Sequence, residues 1–270
     1  MPLKKLNLAQ IKFALLGVGV MGSAILENIL VQKIFAPQQI LAIDLNLQRL
    51  KRFACQGVQV TPELKAAQAS EILLIALKPQ QLKVALQDFQ TQALVLSIVA
   101  GVSIQELKKL TGATKIVRAM PNTPAQIGAG ITGVYYPRNL TVKLKKCLAK
   151  ILAGLGTTLR VLREKDLASI TAISGSGPAY FFAFAEGLIQ AGEQLGLTPQ
   201  QATTLVRETF FGSAKLAANS ELSFTNLRQN VTSKGGTTEA ALKEFQKKHL
   251  EKIIAQATLA AFRRATGGIK

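Results

Sequence analysis

Short apolar runs alternate with segments of helical periodicity from residue 11 to about residue 163, and this alternation most constrains the fold. The predicted strands are residues 11–16, 40–43, 72–77, 94–99, 115–118, 130–135 and 157–161. The predicted helices between them are residues 23–31, 48–54, 80–88, 104–110 and 142–155. Such an alternation predicts a mainly parallel, doubly wound sheet with helices on both faces, an α/β fold.

After residue 163 the strand pattern stops and only helical patterns follow, at residues 178–195, 199–218, 236–245 and 250–266. Gly196 ends one of these helices, and Thr198 with Pro199 begins the next as N-cap and first helical residue. We therefore expect two domains, residues 1–163 and residues 164–270. The helical faces are rich in alanine and apolar, which favours packing of the second domain against another subunit.

The first predicted strand runs directly into the sequence Gly17-Val18-Gly19-Val20-Met21-Gly22. A GxGxxG pattern alone is weak evidence, but here it ends a strand and opens a helix, as dinucleotide binding requires. In that setting the first glycine makes the tight turn, the second lets a pyrophosphate approach, and the third allows close packing of helix on strand. The N–H groups at the helix start then bind phosphate. A glycine-rich turn without a ligand is the alternative.

Asp44 follows the second predicted strand, 22 residues after Gly22. A carboxylate at this position binds a ribose 2′-hydroxyl and repels a 2′-phosphate, which favours NAD. Arg49, Lys51 and Arg52 follow closely and are able to bind such a phosphate. A second alternative is that Asp44 only caps the next helix. The sequence therefore predicts NADP or NAD without a preference.

Charge and cysteine content narrow the partners and the compartment. The net charge is +18, of which residues 1–160 carry +14 with 20 Lys/Arg against 6 Asp/Glu. The basic residues are scattered singly or in pairs without interleaved aromatics, so we expect no nucleic-acid partner and a surface that attracts small anions. We expect no metal site, because the two cysteines lack ligand spacing. Residues 1–7 lack the apolar stretch of a secretory signal. The apolar runs at residues 72–77 and 93–102 are shorter than the roughly 20 residues that cross a bilayer, so we expect a cytoplasmic protein without membrane contact.

Five motifs occur in a fixed order and carry a family resemblance. After the glycine loop come Ala76-Leu77-Lys78-Pro79, Arg118-Ala119-Met120-Pro121-Asn122-Thr123-Pro124, Gly175-Ser176-Gly177-Pro178-Ala179-Tyr180 and Val231-Thr232-Ser233-Lys234-Gly235-Gly236-Thr237-Thr238. Together they resemble the signature of pyrroline-5-carboxylate reductases. The resemblance implies hydride transfer from NAD(P)H to 1-pyrroline-5-carboxylate, giving L-proline as the last step of proline biosynthesis. It also implies an N-terminal Rossmann domain and an all-α C-terminal domain for substrate binding and dimerisation, in a homodimer or an oligomer of dimers.

The resemblance assigns roles position by position. It implies a cofactor site of Gly17, Gly19, Val20, Met21, Gly22, Asp44, Ala76, Leu77, Lys78, Pro79, Ala100, Gly101, Asn122 and Asn230. It implies a substrate site of Glu221, Ser233, Gly235, Gly236, Thr237 and Thr238, with Thr238 and Lys78 as the catalytic residues. Two positions depart from the family pattern: Lys234 replaces a usual proline, and Leu64 replaces a frequent asparagine.

The residues of the last motif agree with an anion site. Ser233–Thr238 offers two glycines and three hydroxyls directly before a predicted helix, whose N-terminal N–H groups favour a carboxylate. The same features are compatible with a phosphate, and an ordinary helix cap is the simpler alternative.

Two other functions are alternatives. A β-hydroxyacid dehydrogenase resembles this plan but places a catalytic Lys and Asn one turn apart after a GxG turn, where this chain has Phe181 and Ala185. Lys215 and Asn219 have that spacing, but on a later helix. The lone histidine, His249, is read as a surface residue, and a protonated cyclic imine needs no strong acid for reduction. A non-catalytic dinucleotide-binding regulatory protein is the second alternative.

Overall fold

The computed structural model describes residues 6–137 and 140–267. Its first part is one sheet of eight strands. The strands are β1 Phe13–Leu16, β2 Ile40–Ile43, β3 Gln59–Thr61, β4 Ile72–Ile75, β5 Leu94–Ser97, β6 Ile116–Met120, β7 Gly130–Tyr135 and β8 Gly156–Val161. Four of them, β1, β2, β4 and β5, are buried along their whole length. Strands covered on both faces read as continuous apolar runs, which is why these were recognisable in the sequence.

The strand order is β3-β2-β1-β4-β5-β6-β7-β8. All neighbours pair in parallel except β6 with β7, which are antiparallel. Strands β2 and β3 lie on one side of β1, and β4 to β8 lie on the other. The direction in which successive strands are added to the sheet therefore reverses between β1 and β4. In open parallel sheets, ligands bind at the carboxyl ends of the strands beside such a switch point. The doubly wound Rossmann-type sheet expected from the sequence is confirmed.

Helices surround this sheet and form the rest of the described chain. The α-helices are α1 Val20–Val31, α2 Leu47–Ala54, α3 Pro79–Ala85, α4 Ile104–Thr111, α5 Val142–Ala153, α6 Asp166–Ile170, α7 Gly177–Gln194, α8 Pro199–Ala218, α9 Phe224–Asn230, α10 Thr237–Lys247 and α11 Leu250–Thr266. The sheet separates two apolar clusters. One contains Ile25 and Ile29 of α1, and the other contains Leu107 of α4. The all-α character of the second part of the chain is confirmed.

The predicted elements differ from the observed ones in a few places. The sequence analysis missed β3, α6 and α9, and it ended the strands at residues 77 and 99 too late, because the apolar runs continue beyond the hydrogen-bonded strands. β3 has only three residues, and α9 is short and largely exposed, so neither has a long periodic pattern. The first five residues, part of the segment judged for a secretory signal, lie outside the described residues.

A π-turn at Thr171–Gly175 joins α6 and α7, so that Asp166–Gln194 forms one helical segment of 29 residues. By length and composition alone, it is long and apolar enough to cross a membrane. The sequence analysis overlooked it, because polar residues and glycines interrupt its apolar residues. One such helix is weak evidence for a membrane protein, since the core helix of a soluble protein has the same length and composition.

The chain divides into two compact units, Met1–Ser176 with Ala261–Lys270, and Gly177–Ala260. The first contains the sheet and its helices, and the second contains α7 to α10 and most of α11. The expected domain boundary at residue 163 lies before α6, and this division stays a proposal.

Candidate active site

The glycine loop connects β1 to α1 in a conformation that only glycine permits. Gly17 has a φ of 97°, and a Cβ there would lie 2.8 Å from the carbonyl oxygen of Ala76. A Cβ at Gly22 would collide with the carbonyl oxygen of Gly17. The loop is therefore pressed against the end of β4, and α1 begins directly on β1, as the sequence analysis expected of the first and third glycines.

The middle of the loop is open. No heavy atom lies within 4 Å of the position that a Cβ of Gly19 would occupy. Val20, the first residue of α1, is 65% exposed although it is apolar. Within the described chain, no group accepts a hydrogen bond from the N–H of Val20, Met21 or Gly22. An open backbone cradle with free N–H groups at a helix start fits the pyrophosphate of a dinucleotide.

Asp44 lies at the end of β2, next to this loop. Its Oδ2 accepts a 2.7 Å hydrogen bond from the N–H of Val18, and its Oδ1 accepts one of 2.8 Å from the N–H of Asn46. Asn46, not Asp44, is the N-cap of α2, because its side chain accepts from the N–H groups of Gln48 and Arg49. The alternative that Asp44 only caps the helix is therefore wrong. Its carboxylate supports the glycine loop and keeps lone pairs for a ribose hydroxyl.

The basic residues after Asp44 are partly engaged. Arg49 Nη1 lies 3.6 Å from Asp44 Oδ2. Arg52 pairs with Glu27 at 3.0 Å, and its guanidinium stacks over the ring of Phe53. Lys51 makes no ion pair within the described residues. Two of the three cations that the sequence analysis considered for a 2′-phosphate thus have acidic partners.

The other expected cofactor residues of this unit lie at the same carboxyl edge of the sheet. Ala76–Pro79 follows β4, Ala100 and Gly101 follow β5, and Asn122 follows β6. Lys78 is exposed and precedes α3, with Pro79 as the first helical residue. Parallel strands bring these segments together, because all their carboxyl ends meet at one edge.

Asn122 has a structural contact in addition to its expected role. Its Oδ1 accepts a 2.9 Å hydrogen bond from the N–H of Ile131 at the start of β7. This bond ties the end of β6 to the antiparallel strand beside it. Within the described residues no group accepts from its amide nitrogen, which is thus free for a ligand at this edge.

The second unit contains the loop Ser233–Gly236 and the start of α10. Gly236 is the N-cap of α10, and its N–H bonds the carbonyl oxygen of Ser233 at 3.1 Å. The N–H of Gly235 donates a 2.8 Å bond to Glu239 Oε2, and Lys243 Nζ lies 3.4 Å from the same oxygen. These contacts, the backbone N–H first, lower the pKa of Glu239 below its usual value. One N–H expected for the substrate is therefore already used by the chain itself.

Two further donors lie beside this loop at Thr237 and Thr238, the first two residues of α10. Their N–H groups belong to the first turn of a helix and have no partner within it. Thr237 is exposed and Thr238 is half-buried. Asn230 is the last residue of α9, and Glu221 lies exposed between α8 and α9. Neither contacts the loop through a hydrogen bond or ion pair among the described residues, so their roles stay predictions.

Glu239 was missed by the sequence analysis, although a signal was present. A carboxylate three positions after an N-cap is the spacing at which a side chain reaches back to the N-terminal backbone. Gly236 and Glu239 have that spacing. A further missed contact, between Arg118 and Glu164, joins distant parts of the chain and has no local sequence signal.

The residues of the rival readings have ordinary structural roles. Asn219 caps the end of α8, and its amide donates to the carbonyl oxygen of Lys215 at 2.8 Å. His249, with a φ of 54°, forms the tight connection between α10 and α11. No cluster of three or more metal-ligating side chains occurs in the part of the chain that the structure describes.

Comparison with known proteins agrees with this geometry. Residues 164–267 match the family "Pyrroline-5-carboxylate reductase dimerisation", and residues 12–101 match "NADP oxidoreductase coenzyme F420-dependent". A pyrroline-5-carboxylate reductase of Pasteurella multocida is 39% identical over 93% of this chain and 94% of its own length.

Solved structures show the same similarity. A pyrroline-5-carboxylate reductase from Coxiella burnetii matches with a TM-score of 0.84 and 33% identity, over 97% of this chain and all of its own. The Plasmodium falciparum pyrroline carboxylate reductase, solved with NADP bound, matches with a TM-score of 0.81 and 28% identity, over 95% and 97% of the two chains. Because relatives above 30% identity cover nearly the whole chain, this protein belongs to the pyrroline-5-carboxylate reductase family.

Proposed function

We infer that this chain is an NAD(P)H-dependent oxidoreductase that reduces 1-pyrroline-5-carboxylate to L-proline. The observation that carries this inference is the full-length match to a reductase of that name at 39% identity. The open glycine loop at the switch point of the sheet supports it, because it fits the pyrophosphate of the cofactor. When bound, the reduced nicotinamide supplies the hydride that the imine carbon accepts.

The residues of the first unit bind and orient the cofactor. The free N–H groups at the start of α1 hold its phosphates, and Asp44 bonds the adenosine ribose. Ala76, Lys78, Ala100 and Gly101 stand on the nicotinamide side. The exposed ammonium group of Lys78 adds positive charge at this edge, where it favours an anionic substrate.

The residues of the second unit bind the substrate. The N–H groups of Thr237 and Thr238 and the hydroxyl of Ser233 hold the substrate carboxylate. The hydroxyl of Thr238 bonds the ring nitrogen as it changes from iminium to amine. A bond that strengthens along the reaction accelerates it, whereas uniform binding does not. The protonated imine already attracts hydride, so these residues need not supply a strong acid.

The proposed assembly is a homodimer formed through the helical unit. In Gly177–Ala260, all of which is described, only Gly177 and Ala202 are buried. Large apolar side chains are exposed instead, among them Phe181, Phe182 and Ile254. A unit of this size without a core of its own is not stable alone, so we propose that a second copy covers this surface. This interface, rather than a membrane, also accounts for the apolar Asp166–Gln194 segment.

The proposed setting is the cytoplasm, with the substrate and a second copy as partners and without nucleic acid or membrane. The test of the function is a turnover assay with purified protein, 1-pyrroline-5-carboxylate and each reduced cofactor. We expect oxidation of the cofactor and formation of proline in equal amounts. Protein that binds the cofactor but leaves it unoxidised in the presence of the imine would contradict the proposed reaction.

A further inference from the structure

We propose that Glu164 is a positioning residue that, together with Arg118, fixes the loop on the nicotinamide side of the cofactor site. Glu164 follows β8, and its Oε1 makes two contacts with distant parts of the chain. It accepts a 2.7 Å hydrogen bond from the backbone N–H of Ile104 and a 3.0 Å bond from Arg118 Nη1. One carboxylate oxygen thus joins β6, α4 and the chain that leaves the sheet.

The contact with Ile104 fixes the start of α4. Ile104 is the first residue of this helix, so its N–H has no partner within the helix. Ser103 caps the helix through its hydroxyl, which accepts from the N–H of Glu106. A carboxylate at a helix N-terminus is also favoured by the helix dipole, and a hydrogen bond to a charged acceptor is stronger than a neutral one. The position of Glu164 therefore determines where α4 begins.

The backbone of the loop between β5 and α4 is held by hydrogen bonds mainly at its two ends. At its first end, the N–H of Ile98 bonds Ile75 and that of Val99 bonds the hydroxyl of Ser97. Ala100 to Ser103 donate no backbone hydrogen bond to any described group. The segment that carries Ala100 and Gly101 is thus held at its far end by the start of α4.

Arg118 holds the carboxylate in place. Its side chain is 14% exposed and that of Glu164 is 29% exposed, so the pair is largely shielded from water. Both residues line a cavity of about 420 Å³ whose wall also includes Gly101 and Ser103. The ion pair and the nicotinamide-side loop are consequently neighbours, and a shift of the carboxylate reaches the loop directly.

The effect on the reaction rests on the proposed function, because it requires Ala100 and Gly101 to border the nicotinamide. Hydride transfer is sensitive to small displacements of the reacting groups, and an error of about 1 Å costs on the order of a hundredfold in rate. Glu164 touches neither cofactor nor substrate in this proposal. It acts only through the loop.

The test compares Glu164→Ala, Glu164→Gln and Arg118→Lys with the control Asp166→Asn. Asp166 forms an ion pair with Arg163 at 2.8 Å on the same segment, but among the described residues neither partner makes a hydrogen bond or ion pair with the loop. We expect Glu164→Ala to raise the KM for reduced cofactor and lower kcat, each by roughly five- to tenfold. Glu164→Gln should recover part of this loss, because its amide oxygen still accepts from Ile104. The control should stay within about twofold of the parent protein.

A second measurement separates this inference from the proposed function. Binding of reduced cofactor, followed by its fluorescence, requires no turnover of the imine. Weakened binding in Glu164→Ala, together with normal binding in Asp166→Asn, supports the positioning role even if the imine is not the substrate. Equal cofactor affinity and equal rates in Glu164→Ala and Asp166→Asn would overturn it. Should Glu164→Ala fail to fold, the same comparison with Glu164→Gln and Arg118→Lys decides.

Discussion

The carboxylate of Asp44 accepts a 2.7 Å hydrogen bond from the backbone N–H of Val18, within the glycine loop. The residue expected to select the cofactor thus also supports the loop that binds the phosphates. A substitution that removes both the charge of Asp44 and its hydrogen bond to Val18 changes cofactor preference and loop support at the same time. The side chain is only 11% exposed, so its charge is poorly screened toward a neighbouring phosphate.

We predict that Asp44→Asn shifts the cofactor preference toward NADPH without loosening the loop. The amide oxygen still accepts from Val18, but the negative charge that repels a 2′-phosphate is gone. The ratio of kcat/KM for NADPH over NADH should rise by about five- to a hundredfold, ~1–3 kcal/mol. In the parent protein, NADH should perform at least comparably to NADPH.

The control for Asp44 is Asp44→Ser. Serine also removes the charge, but its shorter side chain does not reach Val18, so we expect affinity for both cofactors to fall. An unchanged efficiency ratio in both variants would mean that Asp44 serves the loop alone.

The second prediction concerns Thr238, the proposed partner of the ring nitrogen. Thr238→Ala should lower kcat/KM for the imine by about ten- to a hundredfold, ~1–3 kcal/mol for one lost hydrogen bond. Affinity for the cofactor should stay nearly the same, since the proposed cofactor site lies mainly on the first unit. The measurement is steady-state kinetics together with cofactor titration.

Thr237→Ala is the matched control for Thr238→Ala. Its side chain is one position away at the same helix start and is more exposed. Loss of activity in Thr237→Ala alone would move the proposed role by one residue. Full activity in both variants would reduce the loop to a helix cap.

The centre of the sheet was predictable because β1, β2, β4 and β5 are buried along their whole length. The runs at β2 and β7 matched the observed bounds, and the glycine loop followed from its position between β1 and α1. Local patterns of this kind carry their own physical cause in neighbouring residues. The same holds for α8, whose N-cap at Thr198 is visible in the sequence.

Contacts between distant residues were not predictable. Asp44 with Val18 is separated by 26 positions and Glu164 with Ile104 by 60, so no sequence pattern links them. They form only when the folded chain brings the ends of different strands together. The motif residues were recognised by resemblance, but which N–H groups remain free for a ligand was visible only in the structure.

The third prediction is that the protein is an obligate dimer through its helical unit. Phe182 is 58% exposed on α7, where a second copy is proposed to cover it. Phe182→Glu should therefore give monomers or unfolded protein. The control is Val31→Glu, because Val31 is 75% exposed on α1 in the first unit. Light scattering at micromolar concentration is the measurement, and a stable parent monomer of 28.9 kDa would contradict the proposal.

The fourth prediction concerns the pH dependence of the substrate loop. The N–H of Gly235, and then Lys243, lower the pKa of Glu239 below its ordinary value of 4.5. Because the folded-state pKa is depressed, the bond to Gly235 persists as pH falls through 4.5 and is lost only below that. Any stability it adds is present above the unfolded pKa.

The carboxyl ¹³C shift of Glu239, followed against pH by NMR, tests this directly. We expect its midpoint below 4.5 in the parent protein and a higher midpoint in Lys243→Ala, where one favourable charge is missing. Lys247→Ala is the control, because Lys247 pairs with Glu244 instead. Equal midpoints in the parent protein and Lys243→Ala would show that the lysine does not act on this carboxylate.

The last prediction compares two buried threonines, Thr132 and Thr111, whose hydroxyl groups differ in their hydrogen-bond partners. The hydroxyl of Thr132, on β7, is buried without a hydrogen-bond partner in the described chain. The hydroxyl of Thr111, equally buried, donates to the carbonyl oxygen of Leu107 at 2.7 Å and accepts from the N–H of Ala113 at 3.3 Å. A buried polar group without a partner destabilises the folded state, whereas a hydrogen-bonded one stabilises it. Thr132→Val should therefore raise the free energy of unfolding by about 1 kcal/mol, and Thr111→Val should lower it by ~1–2 kcal/mol. Denaturant unfolding of both variants measures the difference, and losses of equal size in the two would show that the hydroxyl of Thr132 has a partner in solution.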